Sequence, residues 1–546
     1  MTTVPSELFD YVVIGSGFGG SVAAMRLAEK GYRVLVLERG RWFADANFAR
    51  TNWNLRQFLW LPVARCFGIL QFSPFKDVLV LHGAGVGGGS LAYANVLMEP
   101  DPEVFDAPEW HALMDWRAVL APHYLTARRM LGVATNLCLG PADAVLQEIA
   151  GELGQRETFQ STQVGVFFGE PGVTVPDPYF QGQGPPRAGC THCGACMVGC
   201  RHNAKNTLTK NYLYFAQKYG AEIRAEAEVE DISPLLPEGD DGPRYEVSYR
   251  RATAWFRQGK RRCRARNVIV AAGTLGTLRL LFRCRDENGS LPDLSPRLGY
   301  GVLTNSESLL GVTSRHRHTD YSEGIAVTSI FQAGSATAVE PVRYPQGSSL
   351  MRFFSAPLPG PGHLPGRWLQ LVAEMLRHPR DFLKTHILPG WARRTTIILV
   401  MQADDNRLRL YLRPKPKGAG RSDLASQGDP VNPRPARVEL GHRITRAFAA
   451  KTDGIPVTTI NEVLFDIPVT AHIMGGCPMG RQVAEGVVDA ACQVHNYPGL
   501  YVVDGSIMPG NPGINPALTI TAMAEYAMSL IPAKKQVPSS EFQVPG

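Results

Sequence analysis

The sequence predicts an α/β protein built around a parallel sheet whose strands come from distant parts of the chain. Three observations lead to this prediction. An apolar run, a glycine-rich turn and a helical pattern follow one another near the N-terminus. A second buried run closes at another glycine turn near residue 273, and a third returns at residues 500–503. This order is typical of a Rossmann-like dinucleotide-binding domain that is discontinuous in sequence.

A glycine-rich turn follows the first predicted strand, residues 11–14. Glycines at these positions allow a tight turn, the approach of backbone N–H groups to a pyrophosphate, and close packing of helix on strand. A coincidental glycine turn is the alternative, and the strand, helix and strand around it argue against that. The turn residues predicted to bind the cofactor are Gly15, Gly17, Phe18, Gly19 and Gly20.

The second predicted strand, residues 33–37, ends at Glu38. A carboxylate at this point of a dinucleotide-binding fold accepts hydrogen bonds from the ribose. An acidic residue rather than a basic cluster favours an unphosphorylated adenosine ribose, hence FAD or NAD. The segment that follows, residues 41–75, is rich in aromatic residues without clean periodicity and predicts a lid or substrate-facing insert.

Two further glycine-rich turns follow predicted strands at residues 78–81 and 267–272, and a helix is predicted at residues 277–282. This density of glycines indicates that the backbone packs closely against a flat or phosphorylated group. Together with the C-terminal turns, it favours FAD over NAD. The predicted cofactor contacts here are Gly83, Gly85, Gly87, Gly88, Gly89, Ser90, Ala272 and Gly273.

The C-terminal part carries the last predicted elements of this domain. Residues 500–503 form a strand, Asp504 and Gly505 open a turn, and a final helix begins at Ala517. An aspartate at such a turn either contacts a cofactor or caps the turn that it opens.

Composition excludes several classes of protein. The chain has 546 residues with 44% hydrophobic and 19% charged residues, as in globular enzymes rather than disordered chains. A net charge of +7 over this length is too dilute to predict nucleic-acid binding. We find no secretory signal pattern and no apolar run long enough to span a bilayer, so we expect a cytoplasmic protein.

Four cysteines are spaced C-x2-C-x2-C-x3-C: Cys190, Cys193, Cys196 and Cys200. This is the spacing of bacterial ferredoxin ligands, except that Arg201 stands where a proline is usual. The pattern predicts either the ligands of an iron–sulfur cluster or packed, redox-linked thiols. A cluster would route electrons to a protein acceptor and make the chain a dehydrogenase.

Several motifs together resemble the glucose-methanol-choline (GMC) oxidoreductases over nearly the whole chain. They are residues 15–20, 83–90, 271–276, 472–476 and 504–516. Within that family, residues 472–476, 500–506 and 513–516 are most similar to the non-covalent cholesterol oxidases. The resemblance implies a cholesterol oxidase-like architecture, with an FAD-binding domain and a substrate domain that has a mixed or antiparallel sheet and helices.

The resemblance also implies how FAD is held. Residues 91–93 read Leu-Ala-Tyr where covalent members supply histidine, which implies non-covalent FAD. Asp504 is implied as a partner of the ribityl chain, and the helix that begins at Ala517 would aim its N-terminus at the flavin pyrimidine. Further cofactor contacts are expected at Asn95, Val229, Gly505, Asn515, Pro516 and Ala517.

The resemblance assigns the chemistry to three residues. His472 is expected to take the hydroxyl proton as hydride leaves carbon, since an imidazole titrates near neutral pH. Asn515, where the family has His or Asn, can donate to and accept from a substrate oxygen. Glu340 is expected to move a proton during double-bond isomerisation. A surface glutamate before a proline is the alternative, and Glu323 competes for the role.

The motifs divide the chain into segments. Residues 1–44, 76–100, 220–315 and 466–533 are predicted to form the FAD-binding domain. Residues 45–75, 101–219 and 316–465 are predicted to form the substrate-binding domain and lid, and residues 534–546 a tail.

The predicted function is oxidation of a bulky, apolar secondary alcohol, with a 3β-hydroxysteroid favoured and oxygen or another acceptor taking the electrons. Residues 366–394 mix basic with apolar side chains, which indicates either transient contact with a membrane surface or a solvated face over ordinary core. Alternatives are a dehydrogenase for another lipid, terpenoid or sugar alcohol, a lyase or light-driven decarboxylase on the same fold, and a non-enzymatic flavin-binding or NAD-sensing protein.

Overall fold

The computed structural model describes residues 7–236, 239, 242–255, 259–334, 336–360, 364–404, 406–414, 422–429 and 437–535. Of the predicted tail, residues 534–546, all but residues 534 and 535 lie outside the described part. Of the proline- and glycine-rich segment of residues 414–435, which the sequence predicts to be a loop, only residues 414 and 422–429 are described. Among the described helices, none is both long and apolar enough to cross a bilayer.

The first sheet is mostly parallel and draws its strands from both ends of the chain. Arg261–Val270 lies at its centre and pairs in parallel with Leu8–Ile14 and with Leu500–Val502. Apolar runs on both faces suit such a strand, because helices cover a parallel sheet on each side. The strands, in spatial order, are Glu222–Arg224, Val34–Leu37, Leu8–Ile14, Arg261–Val270, Tyr245–Arg251 and Ala227–Pro234, with Leu500–Val502 paired beside Arg261–Val270.

The second sheet is antiparallel throughout. Its strands, in spatial order, are Ser355–Pro357, Gly454–Thr459, Ser308–Ser314, Thr395–Gln402, Thr337–Val342, Ser329–Gly334 and Gln160–Ser161. Ser308–Ser314 belongs to this sheet, whereas the predicted division placed it with the cofactor-binding segments. The predicted boundary at residue 315 therefore falls after the strand rather than before it.

The described residues also form smaller sheets. Leu70–Pro74, Leu79–Gly83 and Val469–Thr470 form a three-stranded sheet. The remaining pairs are Trp60–Leu61 with Cys66–Phe67, Ala134–Thr135 with Gln163–Val164, Thr174–Val175 with Arg187–Ala188, and Leu408–Arg413 with Asp423–Gly428. The predicted aromatic insert thus contains short strands, and several of its apolar side chains pack with Tyr344 and Trp391.

Helices cover both sheets. Those of six or more residues are Phe18–Glu29, Trp116–Met130, Pro141–Glu152, Tyr212–Lys218, Thr274–Phe282, Leu364–Arg377, Glu439–Lys451, Ile460–Phe465 and Ala517–Ser529. The shorter α-helices are Leu55–Phe58, Pro108–His111, Pro379–Phe382 and Trp391–Arg394.

The two ends of the chain are held together by their helices. Phe18–Glu29 packs on Ala517–Ser529, and Arg26 forms two hydrogen bonds to Glu525 at 2.7 and 2.9 Å. Tyr212 donates to the same carboxylate at 2.7 Å. Because Glu525 is almost fully buried, these charge-assisted bonds compensate the cost of taking the carboxylate out of water. The N-terminal glycine turn and the C-terminal turns at residues 504–516 are thereby brought to one edge of the first sheet.

Candidate active site

The first glycine turn is packed against the carboxyl ends of two other strands of the first sheet. Gly15 has φ +98°, and a Cβ there would lie 2.3 Å from the Ala271 carbonyl oxygen. A Cβ on Gly19 would lie 1.8 Å from the Val503 carbonyl oxygen, and one on Gly20 would lie 2.1 Å from that of Gly15. Glycine is therefore required here by backbone contact.

The second glycine-rich loop lies directly on the first. A Cβ on Gly88 would lie 2.6 Å from the Gly17 Cα, and the Gly87 N–H donates to Ser16 Oγ at 3.0 Å. Ser90 Oγ donates to the Gly87 carbonyl at 2.7 Å and accepts from the Leu208 N–H at 3.1 Å. The remaining predicted residues of this loop, Gly83, Gly85 and Gly89, lie in the same turn.

Glu38 lies at the end of the second strand and is 7% exposed. Its carboxylate accepts from the Ser16 N–H at 3.1 Å, from Ser16 Oγ at 2.8 Å and from the Gly40 N–H at 2.8 Å. The residue predicted for a ribose thus also fixes the first glycine turn. Val229 lies at a bulge two residues beyond Ala227, whose N–H donates to the Glu38 carbonyl at 2.7 Å.

Several features of this edge leave room and hydrogen-bonding capacity for a dinucleotide. A Cβ on Gly17 or on Gly273 would meet no protein atom within 4 Å. Helix Ala517–Ser529 follows Pro516 without a side-chain cap, so its first N–H groups are available. Asn95 is fully buried, with φ +74°, and neither polar atom of its side chain has a partner among the described residues. These features fit FAD, since an unpaired buried amide is costly unless a ligand completes it.

Asp504 acts as a turn cap. Its carboxylate accepts from the Ser506 N–H at 2.8 Å and from Ser506 Oγ at 2.6 Å, and Thr277 Oγ1 donates to its other oxygen. Burial raises the pKa of this carboxyl above its ordinary value. Ala272 donates its N–H to Thr277 Oγ1 at 3.2 Å, and Gly505 lies against Thr274 and Ile520, so this corner is tightly connected.

His472 contacts a carboxylate that the sequence did not single out. Its Nδ1 contacts Glu307 Oε1, and the Glu307 side chain is completely buried whereas that of His472 is 15% exposed. The Ala471 N–H donates to Glu307 Oε2 at 2.7 Å. Glu307 is the single charged residue between Arg297 and Arg315, and a lone carboxylate in an uncharged stretch is the signal that could have identified it.

Asn515 contacts Glu340. Its Nδ2 lies 3.5 Å from Glu340 Oε2, and Glu340 is fully buried whereas its competitor Glu323 is exposed. Asn515 Oδ1 and Glu340 Oε1 are buried and have no partner among the described residues. Burial raises the pKa of Glu340 to about 8, and the nearby charge of Glu307 adds to the effect although the Asn515 bond opposes it.

Asn305, also missed by the sequence analysis, connects the His472 segment to the Asn515 segment. Its Nδ2 donates to the Ile514 carbonyl at 3.0 Å and lies 3.5 Å from His472 Nδ1. Its Oδ1 accepts from the Gly513 N–H at 3.0 Å. The two segments predicted to carry the chemistry are therefore held in one site.

The four cysteines of the C-x2-C-x2-C-x3-C run line one small cavity. Cys190 is buried, Cys193 exposed, and Cys196 and Cys200 intermediate. Across the described part of the chain, no three His, Cys, Asp or Glu side chains are arranged to hold a metal ion. The arrangement gives the iron–sulfur interpretation no support, and that interpretation stays a prediction.

A buried lysine joins this cavity to the second glycine-rich loop. Lys205 Nζ donates to the carbonyls of Leu91, Tyr93 and Cys196 at 3.1, 2.9 and 2.8 Å. Burial lowers the pKa of Lys205 to about 7. Phe18 meets the Tyr93 ring edge to face at 5.5 Å, so this lysine supports the backbone directly behind the first loop.

Comparison with known proteins agrees with this geometry. The GMC oxidoreductase family models match residues 186–284 and 436–524, and an NAD(P)-binding Rossmann-like domain matches residues 13–44. A cholesterol oxidase from Acinetobacter baumannii is 42% identical over 97% of this chain and 96% of its own. A cholesterol oxidase from Mycobacterium tuberculosis (strain ATCC 25618 / H37Rv) is 45% identical over 96% of this chain and 91% of its own.

Solved structures share the fold. Pyridoxine 4-oxidase from Mesorbium loti has a TM-score of 0.61 at 16% identity, covering 95% of this chain and 99% of that one. A fungal aryl-alcohol oxidase has a TM-score of 0.57 at 14% identity, covering 96% and 99%. The predicted α/β fold class and the predicted family are confirmed. The chain belongs to the GMC oxidoreductases and is an FAD-dependent alcohol oxidoreductase.

Proposed function

We propose that this enzyme oxidises the carbinol carbon of a bulky, apolar secondary alcohol, and that its substrate is a 3β-hydroxysteroid such as cholesterol. Relatives named cholesterol oxidase, 42% and 45% identical over nearly the whole chain, support the substrate class. The observation that carries the proposal is the grouping of His472 with two buried oxygens, Asn515 Oδ1 and Glu340 Oε1, that have no hydrogen-bond partner among the residues described. Buried polar atoms without a partner are costly, and a substrate hydroxyl that enters the site can hydrogen-bond to them.

The residues of the chain manage the proton and the orientation of the alcohol. FAD, when bound, supplies the acceptor for the hydride. It would be held without a covalent bond by the two glycine-rich loops, Asn95 and the N-terminus of helix Ala517–Ser529. His472 takes the hydroxyl proton through its imidazole. Asn515 holds the hydroxyl oxygen, which fixes the carbinol hydrogen in one direction.

Glu340 is proposed to move a proton between ring carbons after the alcohol has been oxidised. A carboxyl with a pKa of about 8 is close to balance between acid and base at neutral pH, which suits proton abstraction followed by proton return. Complete burial keeps water away from the intermediate anion.

Oxygen is the proposed electron acceptor. The cysteine cavity keeps a second candidate open, a dehydrogenase with another acceptor, because Lys205 connects Cys196 to the loop at Leu91 and Tyr93. Acid-labile sulfide and iron content of the purified protein would separate the two.

The exposed face of helix Leu364–Arg377 supports a proposed contact with a membrane surface. Leu369 and Leu376 are 73% and 76% exposed, and Arg377 is beside them on the helix. A steroid must be extracted from a bilayer, and a basic, apolar face can lie on anionic lipid.

Anaerobic titration tests the proposal. A 3β-hydroxysteroid should bleach the flavin absorbance of the purified holoenzyme, and air should restore it. Flavin that steroids leave oxidised but that another lipid, terpenoid or sugar alcohol reduces would refute the steroid substrate. Flavin that is reduced by the steroid and stays reduced in air would refute oxygen as the acceptor.

A further inference from the structure

The segment of residues 303–307 organises the catalytic residues. Leu303 and Met474 exchange two backbone hydrogen bonds at 2.8 and 2.9 Å, and Thr470 Oγ1 donates to the Thr304 carbonyl at 2.9 Å. The His472 N–H in turn donates to Thr470 Oγ1 at 2.9 Å. The backbone on either side of His472 is thus fixed against this segment.

The segment reaches this position through an unusual turn. Asn305 and Ser306 are consecutive non-glycine residues with φ +55° and +43°, a conformation that costs on the order of 1 kcal/mol or more per residue. The turn is held by the Asn305 N–H, which donates to Asn511 Oδ1 at 2.8 Å, and by Asn406, which donates to Ser306 Oγ at 3.3 Å. The next residue along the chain is Glu307, so the turn determines where its carboxylate lies.

The two oxygens of Glu307 face different partners. Oε2 accepts from the Ala471 N–H at 2.7 Å, and Oε1 contacts His472 Nδ1. An oxygen of a carboxylate can only accept, so the ring nitrogen at this contact must carry a proton. His472 Nε2 is then the nitrogen left without a proton in the neutral ring.

We propose that Glu307 is the positioning residue for His472 in the reaction proposed above, on which this inference rests. Its carboxylate holds the Nδ1–H tautomer, so Nε2 carries the lone pair that receives the substrate proton. As the alcohol O–H bond breaks, a new N–H bond forms at Nε2 and hydride leaves the carbinol carbon for the cofactor. The carboxylate keeps its charge throughout and stabilises the imidazolium that results.

The Glu307→Gln variant tests this assignment because the Ala471 N–H constrains how the amide can sit. The amide oxygen must accept from Ala471, which turns the amide NH₂ toward His472 Nδ1. That nitrogen then becomes the acceptor and the ring proton moves to Nε2. We expect flavin reduction by substrate to slow by about 100-fold, with the substrate concentration for half-maximal rate changed by less than about threefold. Glu307→Asp keeps the charge and should recover part of the rate.

A second buried histidine–glutamate pair provides a matched control. His442 Nε2 lies 2.8 Å from Glu462 Oε1, and both side chains are buried. This pair joins helices Glu439–Lys451 and Ile460–Phe465, which pack on the second sheet, outside the proposed site. Glu462→Gln therefore makes the same chemical change to a buried pair and should leave the rate of flavin reduction unchanged.

A substrate-free measurement separates this inference from the proposed function. In protein labelled with ¹⁵N-histidine, His472 is one of 13 histidines and is assigned by its loss in His472→Asn. We expect the neutral wild-type ring to carry its proton on Nδ1 and the Glu307→Gln ring on Nε2. An Nε2–H ring in the wild type would overturn the assignment even if steroids reduce the flavin or the variant fails to fold. Unchanged flavin reduction in a folded Glu307→Gln protein would overturn it as well.

Discussion

Three buried carboxylates near the proposed site differ in the hydrogen bonds that they receive. Asp504 accepts from Thr277 and Ser506, and Glu307 accepts from a backbone N–H and contacts a histidine. Within the described part of the chain, Glu340 receives one long contact, of 3.5 Å, from Asn515. A buried carboxylate with few donors favours its protonated form, which is why Glu340 is the one suited to transfer a proton at carbon.

Replacing Glu340 by Gln should separate the two proposed reactions. The amide keeps the volume and the contact with Asn515 but cannot exchange a proton, so isomerisation should fall on the order of 100-fold while alcohol oxidation changes by less than about tenfold. The conjugated enone product is measured by its ultraviolet absorbance, and oxidation by peroxide formation. Equal losses in both assays would contradict a separate role for Glu340.

Glu340 should also make the stability of the protein depend on pH. The folded-state pKa of about 8 lies above the ordinary value of 4.5, so the folded state binds the extra proton between those two pH values. The free energy of unfolding should therefore fall as pH rises through that window, by at most about 1.4 kcal/mol per pH unit from this group. Urea denaturation of wild type and Glu340→Gln at several pH values measures this. A slope that is the same in both proteins would show that Glu340 does not contribute.

At the scale of single elements, the glycine turns were predictable because their glycines lie close together in the sequence, although the backbone that they contact belongs to distant strands. A turn that follows a strand with positive φ and packs directly on other backbone has no room for a side chain. Such a turn therefore requires glycines at fixed spacing, and the sequence shows that spacing. The turn before Glu307 left no comparable mark, because Asn305 and Ser306 adopt positive φ without glycine. Tertiary hydrogen bonds hold that turn, and they come from residues far away in the chain.

Two alanine substitutions in the first glycine turn should have different effects. A Cβ on Gly19 would lie 1.8 Å from the Val503 carbonyl oxygen, so Gly19→Ala should prevent correct packing of the helix on the sheet and reduce the yield of folded protein. Gly17 has φ −70° and open space around it, so Gly17→Ala should fold but hold FAD more weakly, because the methyl group projects where the pyrophosphate is proposed to bind.

Circular dichroism measures whether these variants fold. Because flavins absorb at about 450 nm, the ratio of absorbance at about 450 nm to that at about 280 nm measures the bound flavin. A Gly17→Ala protein that retains FAD as tightly as the wild type would contradict the proposed position of the pyrophosphate. A Gly19→Ala protein that folds normally would contradict the packing of the turn on Val503.

Helix Leu364–Arg377 should bind anionic lipid through its exposed leucines. When the helix lies on lipid, both leucines would be buried in the interface, and removing them makes the free energy of binding less favourable. The Leu369→Ser/Leu376→Ser variant should therefore sediment with anionic vesicles at least about tenfold less than the wild type. Leu125, 71% exposed on helix Trp116–Met130, offers a matched control, since Leu125→Ser removes an equally exposed leucine elsewhere. Equal sedimentation of all three proteins would contradict a membrane role for this helix.

At the scale of the whole molecule, the sequence predicted the fold class better than the connections within the site. Strands and glycine turns carry patterns in adjacent residues, and the order of these patterns defined the discontinuous sheet. Contacts such as Asn305 with His472 join residues 167 positions apart, and Asn515 with Glu340 joins residues 175 positions apart. A single sequence holds no local signal for such pairs, so the contacts of Glu307 and Asn305 with His472 are visible only in the folded structure.

The discontinuous arrangement predicts that FAD stabilises the whole molecule. Its proposed site draws on the N-terminal turn, the second glycine-rich loop, Asn95 and the helix that begins at Ala517, so the apoprotein must hold these segments together without the ligand that spans them. Free FAD at 100 times its Kd should raise the free energy of unfolding by about 2.7 kcal/mol. Thermal denaturation of apoprotein with increasing FAD measures this gain. Riboflavin, which lacks the pyrophosphate and adenosine, should give a much smaller gain at the same concentration, because it cannot reach the glycine turn at Gly17 or the carboxylate of Glu38. An equal gain from both compounds would mean that the glycine-rich loops contribute little to holding the cofactor.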